Sequence, residues 1–394
     1  MRQLTCIVIG AGHAGIHAVK EIRSQISKGN LKEPVRLLLI DPNPYHLRKV
    51  LLFKPAVTEE DIRVPLTRLF PEGVELVQAS VTEIDADERK VRLRDAAGAE
   101  QTMEYDILVV AAGSRIRKPE PHMGGLPLAS LEDALEIRKR WKENLKRAAS
   151  ENDPLERSRL MTIAVAGAGI TGMETSAELA FYARRDAEQL GLNPNELRIV
   201  LFDANERLLP EAPEKVAARL EQILADNGVK VEHGCRVLRE EEGSLTLSNG
   251  KLLPVGLCVW TLGLIPNPAV KQWGLPVTEE GFVQVDASYR IPGAPGVYSI
   301  GDCARVVDPL TGRADGMTCK EAVPQAVRLG KVIAADLAGE QAPRHAGFLQ
   351  LFCIGLGPDK GLTWVHKWGL DMVVAGKMGY RIKMLTWNAA SMMK

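Results

Sequence analysis

Short runs of apolar residues alternate with helical patterns along most of the chain. The run Leu4–Ile9 is followed by Gly-Ala-Gly-His-Ala-Gly at residues 10–15. Apolar residues then recur at helical spacing over residues 16–26. This order predicts a strand, a glycine turn and a helix. A glycine-rich turn in that context is typical of a dinucleotide-binding fold.

The residues of this glycine turn have distinct predicted roles. Gly10 allows a tight turn, Gly12 lets the backbone approach a pyrophosphate, and Gly15 allows the helix to pack closely on the strand. Free N–H groups and the helix dipole at the start of the helix favour an anion. We therefore predict a nucleotide site formed by Gly10, Gly12, His13, Ala14 and Gly15.

An acidic residue follows the second predicted strand. Residues 35–40 are mostly apolar and end in Asp41, whose carboxylate is placed to accept hydrogen bonds from a ribose. The connection before this strand is longer than usual because polar residues 27–34 extend it. The alternative is a glycine cluster that serves helix packing, with an unrelated surface aspartate.

The opening pattern occurs a second time. Thr162–Ala166 predicts a strand, Gly-Ala-Gly-Ile-Thr-Gly at residues 167–172 a second glycine turn, and residues 173–184 a helix. The next predicted strand, residues 197–202, ends in an acid. Such an internal repeat implies two bound nucleotides. The predicted contacts of the second unit are Gly167, Gly169, Ile170, Thr171, Gly172 and Asp203.

Further elements lie between and beyond these units. Strands are predicted at residues 74–79, 81–84, 90–93 and 105–112, and a charged helix at residues 131–149 is interpreted as a connection between domains. The strand at 105–112 is apolar throughout, which suits burial on both faces. Helices are also predicted at 213–227 and 321–337, and strands at 229–233, 244–247, 257–261 and 297–300.

The composition is that of an ordinary globular protein. The 394 residues carry 50 basic and 50 acidic side chains, so no net charge directs the chain to nucleic acid. No stretch approaches the ~20 apolar residues of a membrane span, and no signal peptide is expected, so we predict a cytoplasmic location. The six cysteines are scattered and the seven histidines lack metal-ligand spacing, so no metal is expected.

The C-terminal stretch differs from the rest. From residue 360 onward it has six lysines or arginines against one acid, Asp371. Residues 376–394 predict a helix with Lys377, Lys383 and Asn388 mostly off its apolar face. A cationic amphipathic helix of this kind suits the surface of an anionic membrane. The alternative is a helix packed on its own protein or on the second subunit of a homodimer. The apolar face would consist of Met378, Ile382, Leu385, Ala389 and Met392.

Two dinucleotide sites in one chain usually pass electrons from one cofactor to the other. The two glycine turns, Asp41, residues 106–113, Trp-Thr-Leu-Gly at 260–263 and Gly-Asp at 301–302 resemble the flavin-dependent pyridine nucleotide oxidoreductases. This resemblance covers nearly the whole chain. It implies an α/β fold with two Rossmann-like domains, the second inserted in the first, and a C-terminal region.

The resemblance also implies domain limits and cofactors. An FAD-binding domain is expected at residues 1–120 and 281–345, an NAD(P)H-binding domain at 121–280, and a membrane-docking or dimerisation region at 346–394. NADH is favoured over NADPH because Asp203 pairs with a free 2′-hydroxyl and repels a 2′-phosphate. Arg207 could serve a phosphate instead.

The same resemblance implies roles for individual residues. Asp302 would contact the ribityl and phosphate part of FAD, or else act as a turn carboxylate. Glu174 would lie near the nicotinamide and the flavin as a catalytic residue, or else complement the helix dipole. The other implied cofactor contacts are Ala112, Gly113, Gly263, Gly301, Val323 and Gln325.

Cysteine positions narrow the branch of the family. Residues 43–55 lack the cysteine pair of the disulfide reductases and the single cysteine of coenzyme A disulfide reductases. Residues 7–233 contain no cysteine, unlike the sulfide:quinone reductases. Residues 44–55, residues 62–66 and the basic, aromatic C-terminal tail are similar to the type II NADH dehydrogenases, which pass electrons from NADH through FAD to a quinone. Their Ala-Gln-x-Ala-x-Gln motif aligns with residues 323–328, where Pro324 and Arg328 replace both glutamines.

Three functions follow from this resemblance. The leading hypothesis is an NADH:quinone oxidoreductase that contacts the inner face of the cell membrane. The second is a soluble NAD(P)H-dependent flavin oxidoreductase that reduces oxygen, a small acceptor or an iron–sulfur protein. The third is a redox-sensing flavoprotein resembling apoptosis-inducing factor, in which slow reduction changes association with a partner.

Overall fold

The computed structural model describes residues 2–393, and the first third of the chain supplies most of one parallel sheet. Two residues with predictions lie outside the described range. Met1 begins the predicted FAD-binding domain, and Lys394 ends the predicted C-terminal helix. The elements of this part are β1 Leu4–Ile9, α1 His13–Ser27, β2 Val35–Asp41, β3 Tyr45–Leu47, β4 Arg63–Pro65, α2 Leu66–Leu69, β5 Glu75–Gln78, β6 Ser80–Asp85, β7 Lys90–Arg94, β8 Glu100–Glu104, β9 Ile107–Val110 and β10 Ser114–Ile116.

The middle of the chain repeats the strand–helix pattern. Its elements are β11 Leu126–Pro127, α3 Leu131–Ser150, α4 Pro154–Leu160, β12 Thr162–Ala166, α5 Ile170–Gln189, β13 Arg198–Phe202, α6 Glu214–Asp226, β14 Val229–Glu232, β15 Val237–Glu241, β16 Ser244–Leu247, β17 Leu252–Pro254, β18 Leu257–Trp260 and β19 Leu264–Pro266.

The last part returns to the first sheet and then forms a small α/β unit. Its elements are α7 Ala269–Gln272, β20 Val283–Gln284, β21 Val297–Ser299, β22 Ala304–Arg305, α8 Cys319–Ala338, β23 Gln350–Gly355, β24 Gly361–Lys367, β25 Leu370–Gly376 and α9 Lys377–Ala390.

The first sheet is parallel and has the strand order β21-β9-β1-β2-β5. Side chains of β1 alternate between its faces, as they do in any strand. Cys6 and Val8 pack with α1 and α8, whereas Ile7 and Ile9 pack with the meander β6–β8. Both faces are covered, which explains why the central strands are apolar without interruption.

The second sheet is also parallel, with the order β11-β18-β12-β13-β14. All of its strands lie between β9 and β21 in sequence, so the predicted insertion of one Rossmann-like unit in the other is confirmed. Helix α3 buries Ile137, Trp141 and Leu145 in the core of this second unit. The helix predicted as a connection is therefore a layer of the second unit.

The predicted domain limits stay a prediction, because the two units share a core. Leu51, Phe53 and Val57 come from the first part of the chain, yet they pack in one cluster with Val165 and Leu179 of the second unit. Two further segments cross between the units and pair as antiparallel strands, β10 and β19.

The sequence patterns missed several strands. Strand β8 has the sequence Glu-Gln-Thr-Met-Glu and is largely exposed, so no apolar alternation marks it, and its pairing with β7 alone defines it. The C-terminal strands β23, β24 and β25 form an antiparallel sheet that was not predicted. Among the helices of residues 2–393, none is both long enough and apolar enough to cross a bilayer.

Candidate active site

Helices α1 and α5 begin in the same way. Their N-caps are Gly12 and Gly169, neither helix has a side-chain cap, and neither has an acid in its first turn. Helix α3 differs, because its N-cap Ser130 accepts from the backbone N–H of Asp133. The first N–H groups of α1 and α5 thus remain available to an anion.

The first glycine turn combines two crowded positions with one open position. Gly10 has φ +99°, and a Cβ there would lie 2.4 Å from the carbonyl oxygen of Ala111. A Cβ on Gly15 would lie 1.7 Å from the carbonyl oxygen of Gly10. A Cβ on Gly12 would meet nothing within 4 Å. Gly10 and Gly15 therefore serve packing, while Gly12 faces space that a phosphate could fill.

The second turn repeats this geometry closely. Gly167 has φ +113°, and a Cβ there would lie 2.5 Å from the carbonyl oxygen of Thr261. A Cβ on Gly172 would lie 1.8 Å from the carbonyl oxygen of Gly167, and one on Gly169 would meet nothing within 4 Å. The two units thus present equivalent backbone cradles.

A cavity of about 540 Å³ joins the two turns. Residues from both units line it, and so do residues of the C-terminal region. Like the two open turn glycines, Gly113 and Gly263 leave free space beside them. The predicted site residues that line the cavity are Gly10, Gly12, His13, Ala14, Asp41, Ala112, Gly113, Gly169, Ile170, Thr171, Glu174, Gly263 and Asp302.

Other predicted residues lie behind the cavity wall or away from it. Gly301 donates its N–H to Oε1 of buried Gln325 at 2.7 Å, so Gln325 holds the loop that carries Asp302. Asp203 lies at the carboxyl end of β13 and does not line the cavity. The remaining residues outside the lining are Gly15, Gly167, Gly172 and Val323.

Asp41 is already engaged by the protein. Its Oδ2 accepts from the N–H of Ala11 at 2.7 Å, and its Oδ1 accepts from the N–H of Asn43 at 2.8 Å. Burial raises the pKa of Asp41, although the two N–H donors oppose this effect. The carboxylate therefore braces the first glycine turn as well as lining the cavity.

Asp302 belongs to a chain of polar groups that sequence reasoning missed. Ser114 donates its hydroxyl to Oδ2 of Asp302 at 2.6 Å, and Lys49 Nζ donates to the carbonyl and hydroxyl oxygens of Ser114 at 2.8 and 2.9 Å. Burial lowers the pKa of Lys49, and the Asp302 carboxylate opposes this effect. Ser114 directly follows the predicted strand end at Ala112 and Gly113, so its position in the sequence could have identified it as a site residue.

Glu174 forms a buried ion pair with Lys383, at 2.8 Å between Oε1 and Nζ. The same Oε1 accepts from the N–H of Gly355 at 2.9 Å, and Lys383 Nζ donates to the carbonyl of Cys353 at 2.5 Å. Both charged side chains line the cavity. The predicted catalytic acid thus has a cationic partner that comes from the C-terminal helix.

The burial of Lys383 corrects the prediction for that helix. Helix α9 ends at Ala390 and packs through Gly379, Lys383, Trp387 and Ala390. Met378 and Leu385, which belong to the predicted apolar face, are 57% and 70% exposed. The packed face therefore differs from the predicted one, because a carboxylate and a carbonyl in the interior satisfy the lysine.

A second buried ion pair lies one turn further along α5. Lys54 Nζ lies 2.6 Å from Glu178 Oε1, and both side chains are buried. Burial lowers the pKa of Lys54, but the Glu178 carboxylate outweighs burial and raises it. Burial raises the pKa of Glu178. This pair ties the first part of the chain to the helix of the second unit.

Two histidines lie beside the first glycine turn. His46 Nδ1 donates to the carbonyl of Ala11 at 2.8 Å, and its ring meets that of His13 edge-on with a centroid distance of 4.7 Å. Burial lowers the pKa of His46 to about 4, and it also lowers the pKa of His13. Both rings are neutral at neutral pH. Nε2 of His13 is buried without a hydrogen-bond partner.

Two cysteines line the cavity. They lie outside residues 7–233, the range whose lack of cysteine was used to distinguish the chain from the sulfide:quinone reductases. Cys319 begins α8 and Cys353 lies in β23, so only the fold brings them to this wall. Both are free, and burial raises the pKa of Cys319. Within residues 2–393, no three histidine, cysteine or acidic side chains are grouped so as to hold a metal ion.

Comparison with known proteins agrees with this geometry. The family model for the pyridine nucleotide-disulphide oxidoreductases matches residues 4–327. The chain belongs to this family. Its relatives include an NADH dehydrogenase-like protein of Mycobacterium tuberculosis, 32% identical over 94% of this chain and 90% of the relative.

Two further similarities are informative. The type II NADH:quinone oxidoreductase of Mycobacterium tuberculosis is 29% identical over 88% of this chain and 76% of its own length. The solved structure of NDH2 from Plasmodium falciparum in complex with NADH matches with a TM-score of 0.80. It is 16% identical and covers 98% of this chain and 94% of that chain, so it shows the shared fold.

The geometry of the site fits two dinucleotides, independently of the similar proteins. Each unit has an uncapped helix start and an open glycine where a pyrophosphate would approach. His13 and Asp203 each have one buried polar atom without a hydrogen-bond partner. Buried polar atoms are rarely left unpaired, so ligand groups are the natural partners for them.

Proposed function

We propose that this protein is an NADH:quinone oxidoreductase of the type II class, with FAD as its resident cofactor. The observation that carries this proposal is a shared cavity, which both helix starts and the Glu174–Lys383 pair line. Curated relatives with this activity support it. Bound flavin would supply the chemistry by taking a hydride from the nicotinamide and passing two electrons to the acceptor.

The first unit would hold FAD. The N–H groups at the start of α1 would bind the pyrophosphate next to Gly12. Asp302, braced by Ser114 and Lys49, would lie near the ribityl chain. Because Gly113 leaves open space on the same wall, the isoalloxazine ring has room to extend toward the second unit.

The second unit would hold NADH in the same manner. Gly169, Ile170 and Thr171 would contact the pyrophosphate at the start of α5. Asp203 would pair with the hydroxyls of the adenosine ribose. The nicotinamide would then enter the shared cavity near Glu174.

The acceptor end of the cavity offers a proton donor. Reducing a quinone to a quinol consumes two protons, and Lys383 Nζ is an ammonium group on the cavity wall, 2.8 Å from Glu174. The hydride that NADH delivers accounts for the two electrons and for one of these protons. Lys383 would donate the other proton to a quinone oxygen, and Glu174 would hold the lysine in place. Trp387 packs beside this ammonium group, since Lys383 Nζ lies 4.5 Å from the centre of its ring.

The substitution Glu174→Gln tests this proposal. Turnover with a menaquinone analogue should fall about 10²-fold, as loss of a positioned acid or base does, while NADH still bleaches the flavin in a single turnover. Glu188→Gln is the matched control, because Glu188 lies exposed on the same helix. Equal turnover with oxygen alone and with the quinone would instead favour a soluble flavin oxidoreductase.

We also propose that the C-terminal region contacts a membrane surface. Strand β25 is an edge strand with exposed apolar side chains, and the turn before it carries Trp368, which is 85% exposed beside Lys367. Leu370 is 68% exposed. Tryptophan and lysine together suit the headgroup region of an anionic bilayer. The alternative occupant of this edge is a second copy of the chain.

Vesicle binding distinguishes these two occupants. Trp368→Ser with Leu370→Ser should reduce co-sedimentation with vesicles that contain an anionic lipid, and it should leave the molecular mass in solution unchanged. Leu310→Ser is the control, because Leu310 is 89% exposed elsewhere on the surface. A change from dimer to monomer without any effect on vesicle binding would favour a homodimer.

A further inference from the structure

The adenosine end of the second unit is formed by the carboxyl ends of two neighbouring strands. Asp203 follows β13 and is buried, and His233 follows β14. Backbone bonds fix this corner, since Asp203 donates its N–H to the carbonyl of Glu232 at 2.8 Å and Cys235 donates to the carbonyl of Asp203 at 3.0 Å. The imidazole is therefore held beside the predicted ribose acid.

His233 lies between two carboxylates. Its Nδ1 is 3.4 Å from Oδ2 of Asp203, and its Nε2 is 3.1 Å from Oε1 of Glu221 on α6. The first contact lacks hydrogen-bond geometry, so Asp203 Oδ2 and His233 Nδ1 are both buried without a hydrogen-bond partner. The other oxygen of Asp203 accepts from the backbone and side chain of Asn205 at 3.0 and 3.2 Å.

We propose that His233 is a specificity-determining residue, which sets how strongly this site discriminates a ribose 2′-hydroxyl from a 2′-phosphate. This inference rests on the proposed function, in which the second unit binds NADH. The unpaired Oδ2 of Asp203 is the atom that a 2′-hydroxyl would satisfy. His233 is the nearest group that can change the charge around it.

The discrimination depends on the charge of the imidazole. A neutral imidazole donates from only one nitrogen and leaves two carboxylates without a cation, so the site repels a 2′-phosphate. An imidazolium carries a proton on both nitrogens and reduces the net negative charge beside the two carboxylates by one. Protonation of the imidazole should therefore favour acceptance of a 2′-phosphate, and loss of that proton should disfavour it.

The other charged groups of this corner do not replace the imidazole. Arg207, the alternative phosphate ligand, donates to the backbone carbonyls of Ala212 and Pro210 at 2.8 and 2.6 Å. Glu206 lies beside Gly234 and adds negative charge. Lys230 is paired with Glu232 at 2.5 Å. No uncommitted cation is thus found among these neighbours in the part of the chain that the structure describes.

Ligand binding to the whole flavoprotein tests this role without turnover. Calorimetry would measure the affinity for ADP-ribose and for 2′-phospho-ADP-ribose at about pH 6 and about pH 8. In the wild-type protein the preference for ADP-ribose should grow about tenfold more over this interval than in His233→Gln. The ionisation of the phosphate itself is common to both proteins. The difference between wild type and variant therefore reports the effect of the imidazole alone.

Two further variants make the outcome decisive. Glu221→Gln removes one carboxylate but keeps the imidazole, so it should lower the preference at both pH values and retain its pH dependence. His233→Asn replaces His233→Gln if the latter fails to fold. If ADP-ribose binds and the pH dependence is the same in wild type and His233 variants, the role of His233 is overturned. If neither ligand binds, the NADH site of the proposed function fails as well.

Discussion

The two nucleotide-binding units have the same backbone geometry but use their acidic residues differently. In both, the first and last glycines of the turn are crowded by backbone carbonyls, and the middle glycine is open. Asp41 has both oxygens occupied by N–H groups of its own chain. Asp203 keeps Oδ2 unpaired and has His233 beside it. The acid of the first unit is thus satisfied by the protein itself, whereas the acid of the second unit keeps one oxygen that the ribose of the proposed NADH would satisfy.

This difference suits a resident cofactor in one unit and an exchanging one in the other. A carboxylate that already braces its turn keeps the turn in place and reduces what binding must organise. An unpaired carboxylate oxygen gains a partner each time a ribose arrives. The C-terminal region lines the shared cavity through Lys383 and Trp387.

Breaking the buried link between the units should have the largest effect. Lys54→Met leaves Glu178 charged and buried without its partner, which should lower the free energy of unfolding by about 3–5 kcal/mol. Denaturant unfolding would measure this loss. The double variant Lys54→Met with Glu178→Leu removes both charges and should recover most of the stability. A single variant as stable as wild type would contradict a role for this pair in joining the units.

Adding one methyl group to the open glycine of either unit should separate their functions. Gly12→Ala and Gly169→Ala should both fold, because the new Cβ meets no protein atom within 4 Å. Each should weaken its own nucleotide about a hundredfold, since two charge-assisted hydrogen bonds of about 1.5 kcal/mol each would be lost.

The flavin absorbance and NADH affinity of the two variants would measure this separation. Gly12→Ala should be purified with little flavin, and Gly169→Ala should retain flavin but reduce it only at high NADH concentration. Circular dichroism is the control for folding. If both variants lost the same nucleotide, the assignment of one nucleotide to each unit would be wrong.

Acid should loosen the first unit, with the smallest of these effects. The pKa of His46 is about 4 in the folded protein and about 6.5 in the unfolded chain, so only the unfolded chain binds the proton between these values. Stability should therefore fall as pH decreases from about 6.5 toward 4, by about 2 kcal/mol at pH 5. Thermal unfolding across this range would measure the loss.

A matched pair of variants assigns that loss to His46. His46→Asn keeps a donor for the carbonyl of Ala11 and should reduce the pH dependence, while buried His13 retains a contribution of the same sign. His122→Gln, at an exposed histidine, should not change it. An unchanged slope in His46→Asn would place the acid sensitivity elsewhere.

Local patterns predicted the parts of the site that the chain builds from neighbouring residues. Each glycine turn connects a strand to the next helix within a few residues, so spacing alone placed Gly12 and Gly169 at helix starts. The strand ends at Ala112 and Gly263 were found in the same way, because parallel strands point their carboxyl ends to one edge. These residues line the cavity, and their contacts with cofactors stay a prediction.

The residues that the patterns missed come from distant segments. Lys383 and Cys353 reach the cavity only because the C-terminal sheet and helix pack against α5, about 200 residues earlier in the chain. Strand β8 was missed for a related reason, since its hydrogen bonds to β7 rather than its own side chains define it.

The sequence by itself determined that two mononucleotide-binding units are present, and which glycine and acid belongs to each. Only the tertiary structure decided how the units share one cavity and which charged side chains enter it. The reason is that a turn or a strand depends on adjacent residues, whereas a buried lysine depends on a partner for its charge. For Lys383 that partner is Glu174, and no sequence pattern near residue 383 predicts this pairing.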